Sequence, residues 1–211
     1  RAHYARSNFN GSHGYPSTIG VSVNEEIVHG IPVGRIIRDG DVVSVDGGCS
    51  VPGPDGRRWH GDSAFTAVVG EGSPEDRHLE EGTREALWAA IAALATGERL
   101  GVVGRAVEGT VARWAERGVP LEIVREYVGH GIGTEMHQPP EVLHHVTRDR
   151  GPRLRPGMAL AIEPMITAGS ADSLVLDDGW TVVTTDGARA AHWEHSVAVV
   201  DGGVHVLTAL D

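Results

Sequence analysis

Cysteine is almost absent from this sequence of 211 residues, since Cys49 is its only one. A single thiol excludes a disulfide framework within the chain and leaves imidazole nitrogen and carboxylate oxygen as the donors for any metal ion. Long apolar runs are absent too. No stretch approaches the roughly 20 apolar residues of a membrane-spanning helix, and the N-terminus has no apolar signal-peptide core. These absences predict a soluble, cytoplasmic protein with no membrane partner.

Positive charge is also scarce, because 18 basic residues stand against 29 acidic ones and give a formal net charge of -11. The arginines are scattered along the chain, whereas a phosphate-binding face normally shows clustered cations. We therefore expect no nucleic-acid partner. The length suits a single domain over 1–211. The start at Arg1, in a segment that resembles the middle of an amphipathic element, predicts a fragment of a longer chain.

Several segments alternate apolar and polar residues as strands do. The segments 18–23 and 26–28 are joined by Asn24-Glu25, which suits a tight turn, so they predict a hairpin. A second hairpin is predicted from 42–46 to 63–69, with the stretch 47–56, rich in glycine and proline, looping out as a long tip. After residue 121, valine, threonine and glycine dominate without a helical period, which predicts strands and loops to the C-terminus.

Two helices are predicted between these regions. Ser73-Pro74-Glu75-Asp76 has the order of a helix start, with an N-cap hydroxyl, a proline and then acids, and a helix to about Ala95 follows. A second amphipathic helix is predicted over 103–114. Trp88 and Trp114 lie among apolar residues at helical spacing, so both are expected in the core. The whole pattern indicates an α+β fold.

An internal repeat ends in an acid each time. The segment 154–163 resembles 37–46, and in both a glycine lies six positions before the final acid, with a mostly apolar strand between them. The segments 62–69 and 194–200 form a second matched pair, each with an acid that leads into a strand. Because neighbouring strands bring distant residues into contact, the repeat predicts two facing pairs of acids. They are Asp46 with Asp62, and Glu163 with Glu194.

Four carboxylates on apolar strands would repel one another and lose hydration unless cations held them. Two divalent ions would balance the four charges. His130, in Gly129-His130-Gly131-Ile132-Gly133, adds a nitrogen donor on backbone that permits close approach. One histidine with four carboxylates suits Mn, Fe, Co or Zn better than a closed structural zinc site does. The residues alone therefore predict a site for two divalent metal ions.

Five blocks of the sequence occur in an order that is typical of one enzyme family. They are Asn10-Gly11-Ser12-His13-Gly14-Tyr15-Pro16-Ser17, Ser22-Val23-Asn24-Glu25-Glu26-Ile27-Val28-His29-Gly30-Ile31-Pro32, Gly129-His130-Gly131-Ile132-Gly133, Ile162-Glu163-Pro164-Met165 and Glu194-His195-Ser196. Together they resemble methionine aminopeptidase type I over nearly the whole chain. The spacing of 33 residues from His130 to Glu163 leaves no room for the large insertion of type II enzymes.

The resemblance implies a pita-bread fold, whose halves are related by a pseudo-twofold axis, without the N-terminal helices that cover one face of the sheet in the family. It implies that water activated by two metal ions removes the initiator methionine from nascent polypeptides, whose N-termini would be the partners, near the ribosome. A monomer is expected. One metal ion would be bound by Asp62, His130, Glu163 and Glu194, and the other by Asp46, Asp62 and Glu194.

The same resemblance assigns roles around the metal ions. Glu163 would shuttle protons, and His29 and His137 would contact the substrate and stabilise the tetrahedral intermediate. The pocket for the methionine side chain would be lined by Phe9, Tyr15, Gly20, Met136 and Trp180, with His29 at its edge. An apolar slot of this kind suits a flexible thioether. The pocket departs from the family's commonest pattern, which has a cysteine at Gly20 and an aromatic residue at Met136.

Two other functions remain open at this level. An Xaa-Pro aminopeptidase of the same fold would share the metal ligands, and a catalytically dead module would bind peptides without cleaving them. Four further histidines are as well explained as solvated or satisfied core residues, so no catalytic role is predicted for them. They are His144, His145, His192 and His195.

Overall fold

The structure is a computed structural model that describes residues 14–209. Within this range the backbone forms two helices and fourteen strands. The helices are α1 (Pro74–Thr96) and α2 (Val102–Glu116). The strands are β1 (Gly20–Val23), β2 (Glu26–Val28), β3 (Val42–Pro52), β4 (Arg58–Val68), β5 (Glu122–Ile123), β6 (Gly129–Gly131), β7 (Gln138–Val142), β8 (Ala159–Ile162), β9 (Met165–Thr167), β10 (Ser173–Val175), β11 (Val182–Thr184), β12 (Ala190–His192), β13 (Glu194–Val200) and β14 (Gly203–Val206).

An eight-stranded antiparallel sheet forms the main layer, in the order β1-β3-β4-β13-β8-β6-β7, with β14 also paired to β13. Two three-stranded sheets accompany it, β10-β11-β2 and β12-β9-β5. The helix α1 packs on the main sheet at β4, β8, β13 and β14, and α2 packs on α1. The predicted α+β fold is therefore confirmed, and the helices cover one face of the sheet.

The main hydrophobic core lies between the helices and the sheet. Leu79, Leu87 and Val107 from the helices pack in one cluster with Leu160 and Ile162 of β8, and all five are essentially inaccessible to solvent. Burial of each such aliphatic side chain contributes roughly 1.5–3 kcal/mol relative to its exposure. This packing fixes β8, the strand that leads into Glu163.

The start of α1 is the predicted one. Ser73 Oγ accepts from the Asp76 backbone N–H at 3.1 Å, and the Ser73 N–H donates to Asp76 Oδ2 at 3.0 Å, which is a reciprocal capping box. Asp76 also forms an ion pair of 2.8 Å with Arg189, just before β12. The second predicted helix, 103–114, lies within α2. Both helix predictions are confirmed.

The first predicted hairpin is wrong in its pairing, although both strands and the turn are present. β1 pairs with β3, whereas β2 pairs with β11 in a different sheet. Asn24 at the turn has a positive φ of 60°, and its side chain accepts from the Val42 N–H at 3.0 Å. The Asn24 side chain thus fixes the turn against the start of β3, the strand with which β1 pairs. After this turn the chain leaves the main sheet, and β2 joins a different one.

The second predicted hairpin is confirmed, but its long tip is wrong. The ladder between β3 and β4 runs without a break from Val42↔Val68 to Pro52↔Arg58, which leaves only 53–57 as the turn. Gly47 and Gly48 therefore lie within β3, whereas Gly53 and Gly56 lie in the turn. At Gly48 the reason is steric, because a Cβ there would collide with the Met136 side chain.

The internal repeat is also present in three dimensions. Gly40 and Gly157 both have left-handed backbone, with φ of 83° and 92°. The Gly40 N–H donates to the Val69 carbonyl at 2.8 Å, and the Gly157 N–H donates to the Val199 carbonyl at 2.9 Å. In each copy the glycine lies just before its strand, β3 or β8, and its N–H is hydrogen-bonded to the end of the antiparallel partner strand, β4 or β13 respectively. Unlike β3 and β4, however, β8 and β13 are not a simple hairpin, because β9–β12 intervene between them.

The two tryptophans expected in the core differ. Trp114 is buried, as predicted, but the prediction for Trp88 is wrong, because this residue within α1 is 42% exposed and its ring is edge-on to His195 with 5.2 Å between centroids. Helical spacing alone does not show where the covered face of a helix ends. Neither helix in the described range has the length and apolar character that a bilayer crossing requires.

Candidate metal centre

Three acids converge on one face of the main sheet around Ala64. This residue of β4 is paired with Asp46 on β3 and with Glu194 on β13, and Asp62 lies two positions before it on the same face. All three acids are buried, and their carboxylate oxygens lie within 4.8 Å of one another. Asp46 and Asp62 are diagonal rather than directly opposite, since Asp62 is paired with Gly48.

His130 and Glu163 bring the other half of the repeat to the same place. His130 on β6 is paired with Ala161 on β8, and Glu163 follows β8 directly. His130 Nε2 lies 3.3 Å from Glu163 Oε1, and the ligand atoms of His130, Glu163 and Glu194 lie within 4.8 Å of one another. Glu194 therefore belongs to both groups, and it joins the two halves of the repeat.

The protonation of His130 follows from its hydrogen bond. Its Nδ1 lies 2.9 Å from the Gly131 carbonyl oxygen, which can only accept, so Nδ1 carries the proton. Nε2 is left with a lone pair directed at the acids. His137 lies beside it, with ring centroids 4.4 Å apart, and it forms a third close group with Asp62 and His130. All five predicted metal ligands, together with His137, are thus brought into one cluster.

Burial dominates the electrostatics of this cluster. Burial raises the pKa of Asp62 well above its ordinary value, and Asp46 raises it further. The pKa of Glu163 and the pKa of Glu194 are raised in the same way, first by burial and then by the neighbouring carboxylates. Burial lowers the pKa of His130, so its ring is neutral. The raised pKa values mean that ionisation of all these acids together is unfavourable unless a cation compensates their charge.

The donor atoms fit divalent metal ions. Asp62 Oδ1 and Glu194 Oε1 are buried and have no hydrogen-bond partner among residues 14–209. A buried polar atom without a partner costs about 1–3 kcal/mol, and more if it is charged, so such atoms need an explanation. Carboxylate oxygens with one neutral imidazole nitrogen are a ligand set that divalent first-row metals accept. A cation at these atoms would satisfy them.

Two buried side chains hold the ligands in place, and sequence reasoning did not single them out. Ser196 Oγ accepts from the Asp62 backbone N–H at 3.0 Å and donates to the Asp62 carbonyl at 2.8 Å. His144 Nε2 accepts from the Glu163 backbone N–H at 3.1 Å. Ser196 lies in a block quoted for the family resemblance, and this was the available signal. His144 is a buried core residue rather than a solvated one, and its Nδ1 has no hydrogen-bond partner among the described residues.

An aromatic cluster lies where the side-chain pocket was predicted. The Trp180 ring is edge-on to Tyr15 and to His29, with centroids 5.2 and 6.2 Å apart. Tyr127, which sequence reasoning missed, is also edge-on to His29, with ring centroids 6.1 Å apart. The Tyr15 hydroxyl donates to the Gly30 carbonyl at 2.6 Å. The structure thus brings together three of the predicted pocket residues, Tyr15, His29 and Trp180, in one aromatic group.

The remaining pocket residues border the acids. A Cβ at Gly20 would lie 3.6 Å from Asp46 Cβ and 3.8 Å from the Tyr15 hydroxyl, so Gly20 lies between the acids and the aromatic cluster. Met136 is buried, and its side chain contacts Gly48 on β3. Phe9, the last predicted pocket residue, lies outside the described residues.

Comparison with known proteins agrees with this geometry. The model of metallopeptidase family M24 matches residues 1–201. The chain belongs to metallopeptidase family M24. Among M24 relatives, methionine aminopeptidase 1 of Mycobacterium tuberculosis is 48% identical over 206 residues, which are 97% of this chain and 76% of that protein. Methionine aminopeptidase 1 of Bacillus subtilis is 44% identical over 200 residues, 95% of this chain and 77% of that protein.

A solved M24 structure has the same architecture. Methionine aminopeptidase from Thermotoga maritima superposes with a TM-score of 0.83 at 38% identity, over 98% of this chain and 78% of that chain. The pita-bread fold that the resemblance implied is therefore confirmed for this M24 chain. Membership of an M24 metallopeptidase family also implies the use of divalent metal ions, in agreement with the clustered acids and His130.

Proposed function

We propose that this chain is a dinuclear metal-dependent aminopeptidase that removes the N-terminal methionine from newly made polypeptides. The observation that carries the proposal is the convergence of four acids and one neutral histidine in a chain of family M24. The relatives described above bear the name of this activity. The N-termini of nascent chains are then the substrates, and a monomeric, cytoplasmic enzyme that works near the ribosome suits that role.

The metal ligands are proposed as two sets. One ion would be bound by Asp62, His130, Glu163 and Glu194, and the other by Asp46, Asp62 and Glu194. The two close groups that share Glu194 support this division. When bound there, divalent ions such as Mn, Fe, Co or Zn would lower the pKa of water and would polarise the scissile carbonyl. Ser196 supports the arrangement, because it fixes the backbone on both sides of the Asp62 side chain.

Three further residues of the chain would perform the chemistry. Glu163 would take the proton of the attacking water and pass it to the leaving amine, since its carboxylate lies in one close group with the proposed ligands His130 and Glu194. His137 is exposed beside His130, so it can reach a bound peptide and donate to its carbonyl. His29 borders the aromatic cluster, where burial lowers its pKa to about 4 and keeps the ring neutral.

The pocket for the methionine side chain is proposed to lie among Tyr15, Gly20, Met136 and Trp180, with His29 at its edge and Phe9 as a further member. Tyr15 and Trp180 supply aromatic walls, and Met136 adds a flexible thioether that adapts to another. Gly20 leaves space between the acids and these walls. A neutral His29 favours an uncharged substrate side chain.

The test is a peptide panel with the purified chain loaded with Mn²⁺ or Co²⁺. We expect release of methionine from Met-Ala-Ser and about two metal ions per chain by elemental analysis. Faster cleavage of Ala-Pro-Ala would favour the Xaa-Pro aminopeptidase instead. A chain that retains no metal ion after loading would support the binding-module alternative.

Matched variants test the assigned residues. Glu163→Ala should nearly abolish turnover, whereas Glu141→Ala, at an exposed acid of β7, should leave it unchanged. His137→Ala should lower kcat with little effect on bound metal, and His205→Ala, at an exposed histidine of β14, is its control. Near-normal turnover by Glu163→Ala would contradict the proton-shuttle role.

A further inference from the structure

The β3–β4 hairpin continues past the metal centre as an arm that leaves the main sheet. Within the described residues, β4 is paired with β13 at two positions only, Ser63 and Ala64. From Val197 onward β13 is paired with β14 instead. The ladder between β3 and β4 nevertheless continues as far as the turn at 53–57. Residues 49–61, called the hairpin arm below, are therefore paired with each other and not with the rest of the sheet.

His60 joins the hairpin arm to the β6–β7 loop, residues 132–137. Its N–H donates to the Gly133 carbonyl at 2.8 Å, and its Nδ1 lies 3.0 Å from the same oxygen. A carbonyl oxygen only accepts, so Nδ1 carries the proton and makes a second hydrogen bond. Within residues 14–209, the other residues of the arm form their hydrogen bonds inside the hairpin. His60 therefore provides the hydrogen-bonded tie between the arm and the β6–β7 loop.

The β6–β7 loop carries two residues of the proposed site. Met136 is assigned to the side-chain pocket, and it is buried against β3 at Gly48, where a Cβ would collide with its methyl group. His137 is exposed, and a nitrogen of its ring lies within 4.8 Å of the ligand atoms of Asp62 and His130. The position of this loop thus sets both a wall of the pocket and the group assigned to the substrate carbonyl.

The start of the loop is fixed to the opposite half of the internal repeat. The Ile132 N–H donates to the Ala159 carbonyl at 3.0 Å. Ala159 begins β8, which belongs to the second copy of the repeat, whereas His60 lies on β4 in the first copy. In the main sheet, β13 and β8 separate β4 from β6. The hydrogen bonds to the Gly133 carbonyl therefore connect the two copies through strands that are not neighbours.

We propose that His60 is a positioning residue for the β6–β7 loop, which it holds so that His137 faces the scissile carbonyl and Met136 lines the pocket. The inference rests on the proposed function, since that function gives both residues their roles. The backbone N–H of His60 alone supplies the Gly133 carbonyl with a donor, so the imidazole is not needed to satisfy that carbonyl. Its added hydrogen bond restricts the loop further. Precision matters there, because a misplacement of about 1 Å can lower a rate about 100-fold.

The test compares three replacements of His60. His60→Ala removes the side-chain donor and keeps the backbone N–H. His60→Asn restores a donor, because its amide nitrogen is attached to Cγ as Nδ1 is, whereas the amide nitrogen of His60→Gln lies one bond further out. We expect the Asn variant to resemble wild type and the other two to share one defect. His78→Ala, at a half-buried histidine of α1 whose ring lies beside Trp114, is the control and should resemble wild type.

The first measurement reports the position of the loop without any catalysis. The chain has three methionines, Met136, Met158 and Met165, so methyl-labelled methionine gives three NMR signals, and Met136→Leu identifies the first. Spectra are recorded with chelator and with Zn²⁺, which is diamagnetic. In His60→Ala and His60→Gln the Met136 signal should shift or broaden in both states, while the other two signals stay in place. An unchanged Met136 signal in these variants would overturn the proposal.

The second measurement is cleavage of Met-Ala-Ser by the Mn²⁺-loaded proteins. His60→Ala should lower kcat about 10-fold and raise KM with no change in bound metal, since the loop moves and the metal ligands do not. A double-mutant cycle separates this effect from a general loss of stability. In a His137→Ala background, His60→Ala should lower kcat by less than about 2-fold, because its effect on kcat acts through His137. A full further loss in that background would contradict the positioning role, as would loss of bound metal by His60→Ala.

Failure of the positioning role is distinguishable from failure of the proposed function. A Met136 signal that depends on His60, in a wild-type chain that does not cleave Met-Ala-Ser, would contradict the aminopeptidase proposal and leave the tie to the loop supported. Equal cleavage by wild type and all three His60 variants would support the aminopeptidase and refute the positioning role. Equal defects in His60→Asn and His60→Gln would refute it too, because a donor at the place of Nδ1 would then have no special effect.

Discussion

Replacement of Glu194 by glutamine should have opposite effects on stability with and without metal. Glu194 is 2% exposed, and its carboxylate oxygens lie within 4.8 Å of those of Asp46 and Asp62. At an effective dielectric constant of about 20, two unit charges at this separation repel by about 3 kcal/mol. Proton uptake relieves part of that repulsion, because burial and the neighbouring acids raise the pKa of Glu194. A net cost of about 1–3 kcal/mol remains in the metal-free protein at neutral pH.

Glu194→Gln removes this cost while it keeps the size and shape of the side chain. After treatment with a chelator, the melting temperature of the variant should therefore exceed that of wild type by about 2–12 °C, at about 2–4 °C per kcal/mol for a chain of this length. Added Mn²⁺ should reverse the order. At 100 times its Kd the ion stabilises wild type by about 2.7 kcal/mol, whereas the variant lacks a ligand that both proposed ions share.

Differential scanning fluorimetry with chelator and with Mn²⁺ provides both measurements. Glu141→Gln is the control, because it makes the same chemical change at an exposed acid of β7 and should alter neither melting temperature. A Glu194→Gln variant that melts below wild type without metal would refute the reasoning, since it would mean that the acids do not repel one another. A gain of equal size from Mn²⁺ in both proteins would refute the assignment of Glu194 as a shared ligand.

Three smaller predictions follow from other contacts. Burial lowers the pKa of His29 to about 4, so as the pH falls from 6.5 to 4 the unfolded chain binds a proton before the folded chain does, and the stability of the fold decreases. The variant His29→Asn should remove up to about 3 kcal/mol of that loss, and asparagine tolerates the positive φ of 60° at this position. Urea titrations at several pH values measure the difference. Gly48→Ala should displace the flexible Met136 side chain and raise KM for Met-Ala-Ser with little change in melting temperature, and an unchanged KM would show that Met136 does not line the pocket. Ser196→Ala leaves the buried Asp62 N–H unsatisfied and should cost about 1–3 kcal/mol of unfolding free energy, whereas Ser173→Ala, at a half-buried serine of β10, should cost little.

Much of the fold could be predicted because its signals are local. The cap at Ser73, the turn at Gly40 and the alternation along β4 each depend on a few neighbouring residues, and all three are present. Pairing between strands is not local. Nothing near Asn24 shows that β1 lies on β3 while β2 joins β11, because that choice depends on residues about 20 to 160 positions away.

The candidate site likewise has features that the sequence predicts locally and features that depend on how distant segments pack. Because both copies of the repeat end in an acid, the sequence by itself determined which four carboxylates meet and that they need cations. Only the tertiary structure decided how they meet: Asp46 and Glu194 flank Ala64, Asp62 is diagonal to Asp46, and Ser196 holds the Asp62 backbone. The physical reason is that residue type and periodicity are properties of a segment. Distances, burial and the contact between His60 and the β6–β7 loop arise only when the whole chain packs.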